Sequence, residues 1–303
     1  MATHDQTASN KGWLPFLVLA LVVGGFAFTL AALLGAQDAS VSIGKGDGPR
    51  IAVVPLVGVI VDGRPVVEML EEMRTDDSVD AVLLRIDSPG GAVGPSQEIY
   101  EAVLSLRAAK PVIVSMGGVA ASGGYYVAAA GSHILANPGT LTGSLGVIMQ
   151  FADLTELMDW AKVRVEVVKT GALKDSGASY RPMRPDERGY FQALADEVLG
   201  QFQADVLRGR AAAGVTAGTV GAVADGRVLT GSQALQLGLI DELGGYARAV
   251  SVAAELSGVA GEPQTFEPRV GRRWIERFLD EGVQGEVQAT LSRVSPLWAL
   301  WVP

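Results

Sequence analysis

The chain has no cysteine. That absence excludes a disulfide framework, a thiolate nucleophile and any cysteine-ligated metal site. Histidine is scarce as well, with only His4 and His133 available to a serine–histidine–carboxylate arrangement. Positive charge is the minority: 24 Lys and Arg stand against 33 Asp and Glu, a formal net charge of −9. Binding a phosphate backbone calls for a basic surface, so a nucleic-acid partner is excluded. What the chain does have is apolar material, 49% of its 303 residues with 19% charged, which is enough to build a sizeable core.

One stretch concentrates that material. Residues 13–36, WLPFLVLALVVGGFAFTLAALLGA, run for 24 residues without a charge. As a helix they span roughly 36 Å against a hydrocarbon core of about 30 Å, so one N-terminal transmembrane helix is expected. A cleaved signal peptide is the competing reading, with LLGAQDA offering small residues for cleavage, although its apolar region is usually only about 7 to 15 residues. Only Lys11 precedes the run, while Lys45 and Arg50 follow it, so positive charges do not fix the orientation. Taking the short polar tail, residues 1–12, as the cytoplasmic end places the rest beyond the membrane. The expectation is a single-pass cell-membrane protein with its folded domain on the extracytoplasmic side.

Residues 37–50 are rich in Gly, Ser and Asp and lack periodicity, as a linker does. From Ile51 apolar runs alternate with helical patterns: IAVVPLVGVI then PVVEMLEEMR, AVLLRID then SQEIYEAVLSLRAA, PVIVSM then YYVAAAG. This alternation predicts βα units and a mostly parallel sheet covered on both faces. LTGSLGVIM and VRVEVVKTG read as further strands, DLTELMDWA as a helix, and residues 184–210 as a long amphipathic helix. A short strand, a helix and the YARAVSVAAELSG helix complete a domain expected over 51–260. Residues 261–303 form a helical and apolar tail ending in SPLWALWVP, read as a packed tail, a membrane-interface contact or an oligomer contact.

Ser122, in GVAASGGYY, lies between an apolar strand ending in glycines and a small-residue helix. Free N–H groups and the helix dipole at such a junction favour developing negative charge. The bland alternative is a serine that caps its helix. Upstream, AVLLRIDSPGG ends another buried strand in a glycine pair. Two strand-end glycine clusters can frame one carbonyl, with Gly91 and Gly123 each donating an N–H to the oxyanion while Ser122 attacks its carbon.

The proton acceptor is sought by elimination. His4 lies beyond the membrane run, and His133 is expected at the far end of the helix that starts near Ser122, roughly 16 Å along its axis. Lysine can serve if burial lowers its pKa from about 10.4 toward 7. Lys110, Lys162, Lys169 and Lys174 lie in the domain, the last in the glycine-bearing loop KTGALKDSG. Asp175 beside it would hold the ammonium form if the two touched, so for catalysis their side chains must diverge. Loop lysines are ordinarily solvated, and spacing alone does not nominate one.

The motifs DSPGG at 87–91, ASGGYY at 121–126, ANPGTLTGSLGV at 136–147 and GALKD at 171–175 together resemble the signal peptide peptidase A family. The resemblance runs from about Ile51 through the YARAV helix and matches the short, single-domain form. It implies an α/β fold of the crotonase or Clp-protease type, built from repeated ββα and βα units. It also implies a Ser-Lys dyad serine protease, with the nucleophile on Ser122 and the general base on Lys174, 52 residues downstream. By the same resemblance Ser144 is the hydroxyl that holds the lysine, and the subunits form a homo-oligomeric ring in which neighbours can share a site. The chain departs from the family's usual residues at 170–173, which bears on substrate preference.

The leading expectation is therefore a membrane-anchored endopeptidase acting on apolar peptides such as signal-peptide remnants, with no cofactor and no metal. A crotonase-like acyl-CoA enzyme and a non-catalytic membrane scaffold are the alternatives.

Overall fold

The computed structural model describes residues 48–268. The apolar run at 13–36, the tail before it, most of the linker and SPLWALWVP lie outside the described residues, and within them no helix is long and apolar enough to cross a membrane. In chain order the elements are β1 (Arg50–Val57), α1 (Arg64–Thr75), β2 (Ala81–Ser88), α2 (Val93–Arg107), β3 (Val112–Ala121), α3 (Gly123–Ala128), β4 (His133–Ala136) and β5 (Leu141–Gly143). There follow α4 (Thr155–Trp160), α5 (Pro185–Gly209), α6 (Ala217–Gly221), β6 (Val228–Thr230), α7 (Gly231–Gln236), β7 (Glu242–Leu243), α8 (Tyr246–Ser257) and β8 (Gln264–Phe266).

The strands join in one sheet of order β6-β5-β3-β2-β1-β8, with β4 pairing both β3 and β7. Every pairing is parallel except β5 with β6. This is the mixed α/β, largely parallel architecture that the alternation predicts. β8 carries the sheet past the boundary expected at 260, since Thr265 pairs with Ile51.

Side-chain alternation along the strands divides the core between two faces. Ala52, Val54, Val82, Leu84, Val112 and Val114 pack toward α1 and α2, while Ile51, Val53, Leu83 and Ile113 pack toward Ala249, Val252 and Ala253 of α8. Both faces are thereby covered, and the central strands read as continuous apolar runs for that reason. α1 docks by the helical spacing of Val66, Met69, Leu70 and Met73, all buried, and Pro65 in its first turn costs no hydrogen bond.

An irregularity near the end of the β2–β3 pair aims the site. Ile86 pairs with Met116, but Ser88 pairs with Ala120, so β3 carries extra residues opposite Asp87. The Asp87 carboxylate occupies the gap and accepts from the Val119 amide at 3.1 Å. Bulges of this kind bend a strand and re-aim the residues at its end.

Three expected elements differ. LTGSLGVIM forms a strand only over Leu141–Gly143, because Ser144 takes φ 52° and breaks the pleat. VRVEVVKTG forms no strand, and Val163, Val165, Val167 and Val168 are exposed. A strand needs a neighbour's backbone, and among the described residues none pairs with this run. The helix after Ser122 ends at Ala128, so His133 opens β4 instead of ending that helix.

Candidate active site

Ser122 sits where β3 hands over to α3 with φ 52° and ψ −121°. L-residues with a side chain rarely adopt this backbone, which costs on the order of 1–3 kcal/mol and persists only when surroundings enforce it. Enforcement is visible: the Ser122 amide donates to the Gly143 carbonyl at 2.8 Å, and its carbonyl accepts from the Tyr126 amide at 2.8 Å. The side chain makes no capping hydrogen bond to α3. The helix-cap reading of Ser122 therefore fails, and the hydroxyl is left for other work.

The residue is buried, yet it lines a cavity of ≈ 470 Å³ together with Pro89, Gly90, Gly91 and Ser144. Gly90 and Gly123 explain how the two strand ends come so close. A Cβ on Gly90, whose φ is +99°, would lie 2.6 Å from the Gly123 nitrogen; one on Gly123 would lie 3.2 Å from the Gly91 nitrogen and 2.5 Å from Ser96 Oγ. No side chain fits between these backbones. Gly123 opens α3, before intrahelical bonding uses its N–H. Around Gly91, the bonds that tie the loop to Ile60 run through the Gly90 carbonyl and the Ala92 amide, leaving the Gly91 N–H out of that pairing. Among the described residues the Gly91 and Gly123 amides thus lie beside the Ser122 hydroxyl without a backbone partner, the kind of arrangement that can stabilise an oxyanion.

Ser144 shares the cavity and repeats the positive φ of 52°. Its amide donates to Arg227 O at 2.9 Å and its hydroxyl to Gly226 O at 3.3 Å. The structure therefore brings Ser122, Gly91, Gly123 and Ser144 together. It does not bring Lys174 to them: among the described residues Lys174 is exposed, is no part of the cavity wall and makes no side-chain hydrogen bond or ion pair. The other lysines are weaker candidates. Lys110 donates to Met73 O at 2.9 Å at the end of α1, and Lys169 pairs with Asp175. His133 lies elsewhere, on β4, with Nε2 3.5 Å from the Glu242 carboxylate of β7 and outside the cavity wall.

The remaining wall was not foreseen from sequence. Gln192, Ala195, Asp196 and Leu199 come from α5, and Val147 and Ile148 from the segment after Ser144. Nothing in the amphipathic pattern of α5 distinguishes a cavity-lining face from a packing face. Asp225, also on the wall, is held at about 2 by its hydrogen bond to Arg227 and is an anion at neutral pH. A second depression shares Val147, Ile148, Gln150, Gln192 and Ala195 and extends the groove toward Phe151, Met183 and Phe191. The result is an elongated groove passing the serine, apolar at Val147, Ile148 and Leu199 and polar at Gln150, Gln192 and Asp196.

Comparison with known proteins agrees with this chemistry. The profile of Peptidase family S49 matches residues 105–260, and that of Clp protease matches residues 63–140. The Synechocystis sp. protein slr0021, which carries a protease name, is 41% identical over 212 residues, covering 69% of this chain and 75% of its own. Protease 4 of Haemophilus influenzae is 34% identical across 77% of this chain and 38% of its own length. The chloroplastic serine protease SPPA of Arabidopsis thaliana is 33% identical across 72% of this chain and 31% of its own. The chain thus spans about a third of the longer relatives and three quarters of the shorter one. With an uncapped, strained serine set between two free amides, and a sheet of the Clp-protease type beneath it, the chain belongs to peptidase family S49 and is a serine protease of the SppA kind.

Proposed function

We propose that this protease is a membrane-anchored endopeptidase that hydrolyses apolar peptides, signal-peptide remnants among them, through an acyl-enzyme on Ser122 with Lys174 as general base. The observation that carries the reading is the Ser122 hydroxyl: held at φ 52°, without a capping bond, on a groove it shares with Gly91 and Ser144.

In the proposed cycle the Lys174 amine takes the hydroxyl proton as Ser122 Oγ attacks the scissile carbonyl. The Gly91 and Gly123 amides stabilise the oxyanion, where losing one donor typically costs about 2.7–4 kcal/mol. Collapse breaks the C–N bond, and the lysine ammonium returns its proton to the leaving amine. Water then attacks the ester with the lysine again as base, releasing the acid and restoring Ser122. Ser144 orients the amine. Aliphatic groups of Val147, Ile148 and Leu199 on the groove suit apolar side chains of the substrate.

Because Lys174 stands off the cavity wall, the reading takes it from a neighbouring copy in a homo-oligomeric ring. The exposed run 163–168, with Leu157 and Trp160 also exposed, supports this, since apolar surface of that extent ordinarily has a partner. The uncharged run at 13–36 supports an anchor, and taking the short polar tail at 1–12 as cytoplasmic puts the protease domain on the extracytoplasmic side.

Hydrolysis of an internally quenched apolar peptide tests the assignment. Ser122→Ala and Lys174→Ala should each lose hydrolysis while melting as the wild type does, and a fluorophosphonate should label Ser122. Full activity in either variant rejects the reading.

A further inference from the structure

The loop that carries Lys174 contains an ion-pair network that the proposed proton transfers do not use. Its centre is Asp175, the immediate neighbour of Lys174, and every partner of its carboxylate lies elsewhere. Oδ1 accepts from Lys169 Nζ; Oδ2 accepts from the Tyr180 hydroxyl at 3.1 Å and from Arg181 Nε at 3.3 Å. Arg184 Nη1 stands 3.8 Å from Oδ1, and its own Nε takes Asp186 at 3.2 Å. Lys169 first, with Arg181 and Tyr180, holds the Asp175 carboxyl well below the usual carboxylate range.

The same cations fix the backbone on both sides of Lys174. Lys169 Nζ and Arg184 Nη2 donate to the Ala172 carbonyl at 3.1 and 2.9 Å, and Arg181 Nη2 donates to the Asp175 carbonyl at 3.0 Å. The root of the network is Glu187, fully buried in the first turn of α5. Its Oε2 accepts from Arg181 Nη1 at 2.9 Å and from the Arg184 amide at 2.9 Å. Buried charges are tolerated when paired and hydrogen-bonded in this way, and removing one partner would leave the other uncompensated.

An unoccupied carboxylate next to a lysine is its nearest counter-ion and holds the ammonium form, which cannot accept a proton. A carboxylate already shared among Lys169, Tyr180 and Arg181 is withdrawn from that role. We propose that Asp175 is a positioning residue, whose carboxylate Lys169 and Arg181 hold away from Lys174 so that the amine is presented unpaired. The inference rests on the reading of Lys174 as general base.

The test measures kcat and KM against pH for the full chain, using the internally quenched peptide, in wild type, Lys169→Met, Asp175→Asn and the double variant. Lys169→Met removes the direct partner of Oδ1 and leaves only Arg184 Nη1 at 3.8 Å, so that oxygen can turn to engage Lys174. The acid limb of kcat/KM then moves to higher pH, with roughly tenfold lower activity on that limb and KM little changed. The double variant has no carboxylate to release, and the limb returns to its wild-type position or below. A wild-type profile for Lys169→Met overturns the proposal. So does a loss that the double variant fails to reverse, because a merely structural role for Lys169 is not rescued by removing the charge of Asp175. Lys174→Ala separates the two readings: full activity there rejects the base itself, whereas inactivity there with an unmoved Lys169→Met profile rejects only the positioning role.

Discussion

Ser122 lines a groove to whose wall, among the described residues, Lys174 contributes nothing. The two residues are 52 positions apart in sequence, and a single copy of the chain leaves the lysine side chain exposed. If neighbouring copies supply the missing contact, the consequence can be measured by mixing. Ser122→Ala and Lys174→Ala proteins, each inactive, should recover activity when their subunits exchange, since about a quarter of randomly formed interfaces then pair an intact serine with an intact lysine. No recovery after demonstrated exchange rejects the shared site.

Backbone strain at Ser122 predicts a separation of stability from activity. Glycine tolerates φ 52° and ψ −121° while alanine does not. Ser122→Gly should raise the melting temperature by roughly 2–4 °C, about 1 kcal/mol, whereas Ser122→Ala should leave it near the wild-type value. Both should be inactive. Equal melting temperatures for the two variants would show that the backbone is not strained.

Gly90→Ala probes the framing of the oxyanion. Its Cβ would fall 2.6 Å from the Gly123 nitrogen at a φ that already disfavours a side chain. The expected result is a fall in kcat of about a hundredfold to a thousandfold with a smaller change in KM, as for loss of an oxyanion donor. A variant with unchanged kcat removes this pair of strand ends from the mechanism.

The Glu187 anchor predicts acid sensitivity. Its hydrogen bond with Arg181 leads, with Arg184 contributing, in lowering the carboxyl from 4.5 to about 2 in the folded chain. A depressed folded value means the stabilisation is full above the unfolded value and is lost as protons bind. Melting temperature should therefore decline as pH falls from about 4.5 toward about 2. Glu187→Gln should be less stable at neutral pH and flatter across that window, which a thermal melt series would show.

The proposed topology is checked with a reporter enzyme active only in the cytoplasm, fused to the carboxyl terminus. It should remain silent. Activity there would place the protease domain on the cytoplasmic side.

Much of the scaffold was legible because the relevant forces are local. Val66, Met69, Leu70 and Met73 repeat at helical spacing, and all four are buried in α1. AVLLRI and VIV read as strands covered on both faces because side chains alternate between two cores. Ser122 was legible for the same reason, standing between an apolar strand and a run of small residues. By contrast, VRVEVV has the alternation of a strand but no partner among the described residues, and alternation does not form hydrogen bonds by itself.

Sequence alone therefore determined most of the strands and helices, though not the extent of the strand at Leu141 or the fate of VRVEVV, and which serine ends a strand beside glycines, since periodicity and turn chemistry act over a few residues. Tertiary structure decided the rest. It bent β3 at Asp87, left Ser122 uncapped, and set Gly91 and Gly123 side by side. It also turned one face of α5 into a groove wall and tied Asp175 away from Lys174. Each of these outcomes depends on groups far apart in the chain meeting in space, and no local pattern carries that information.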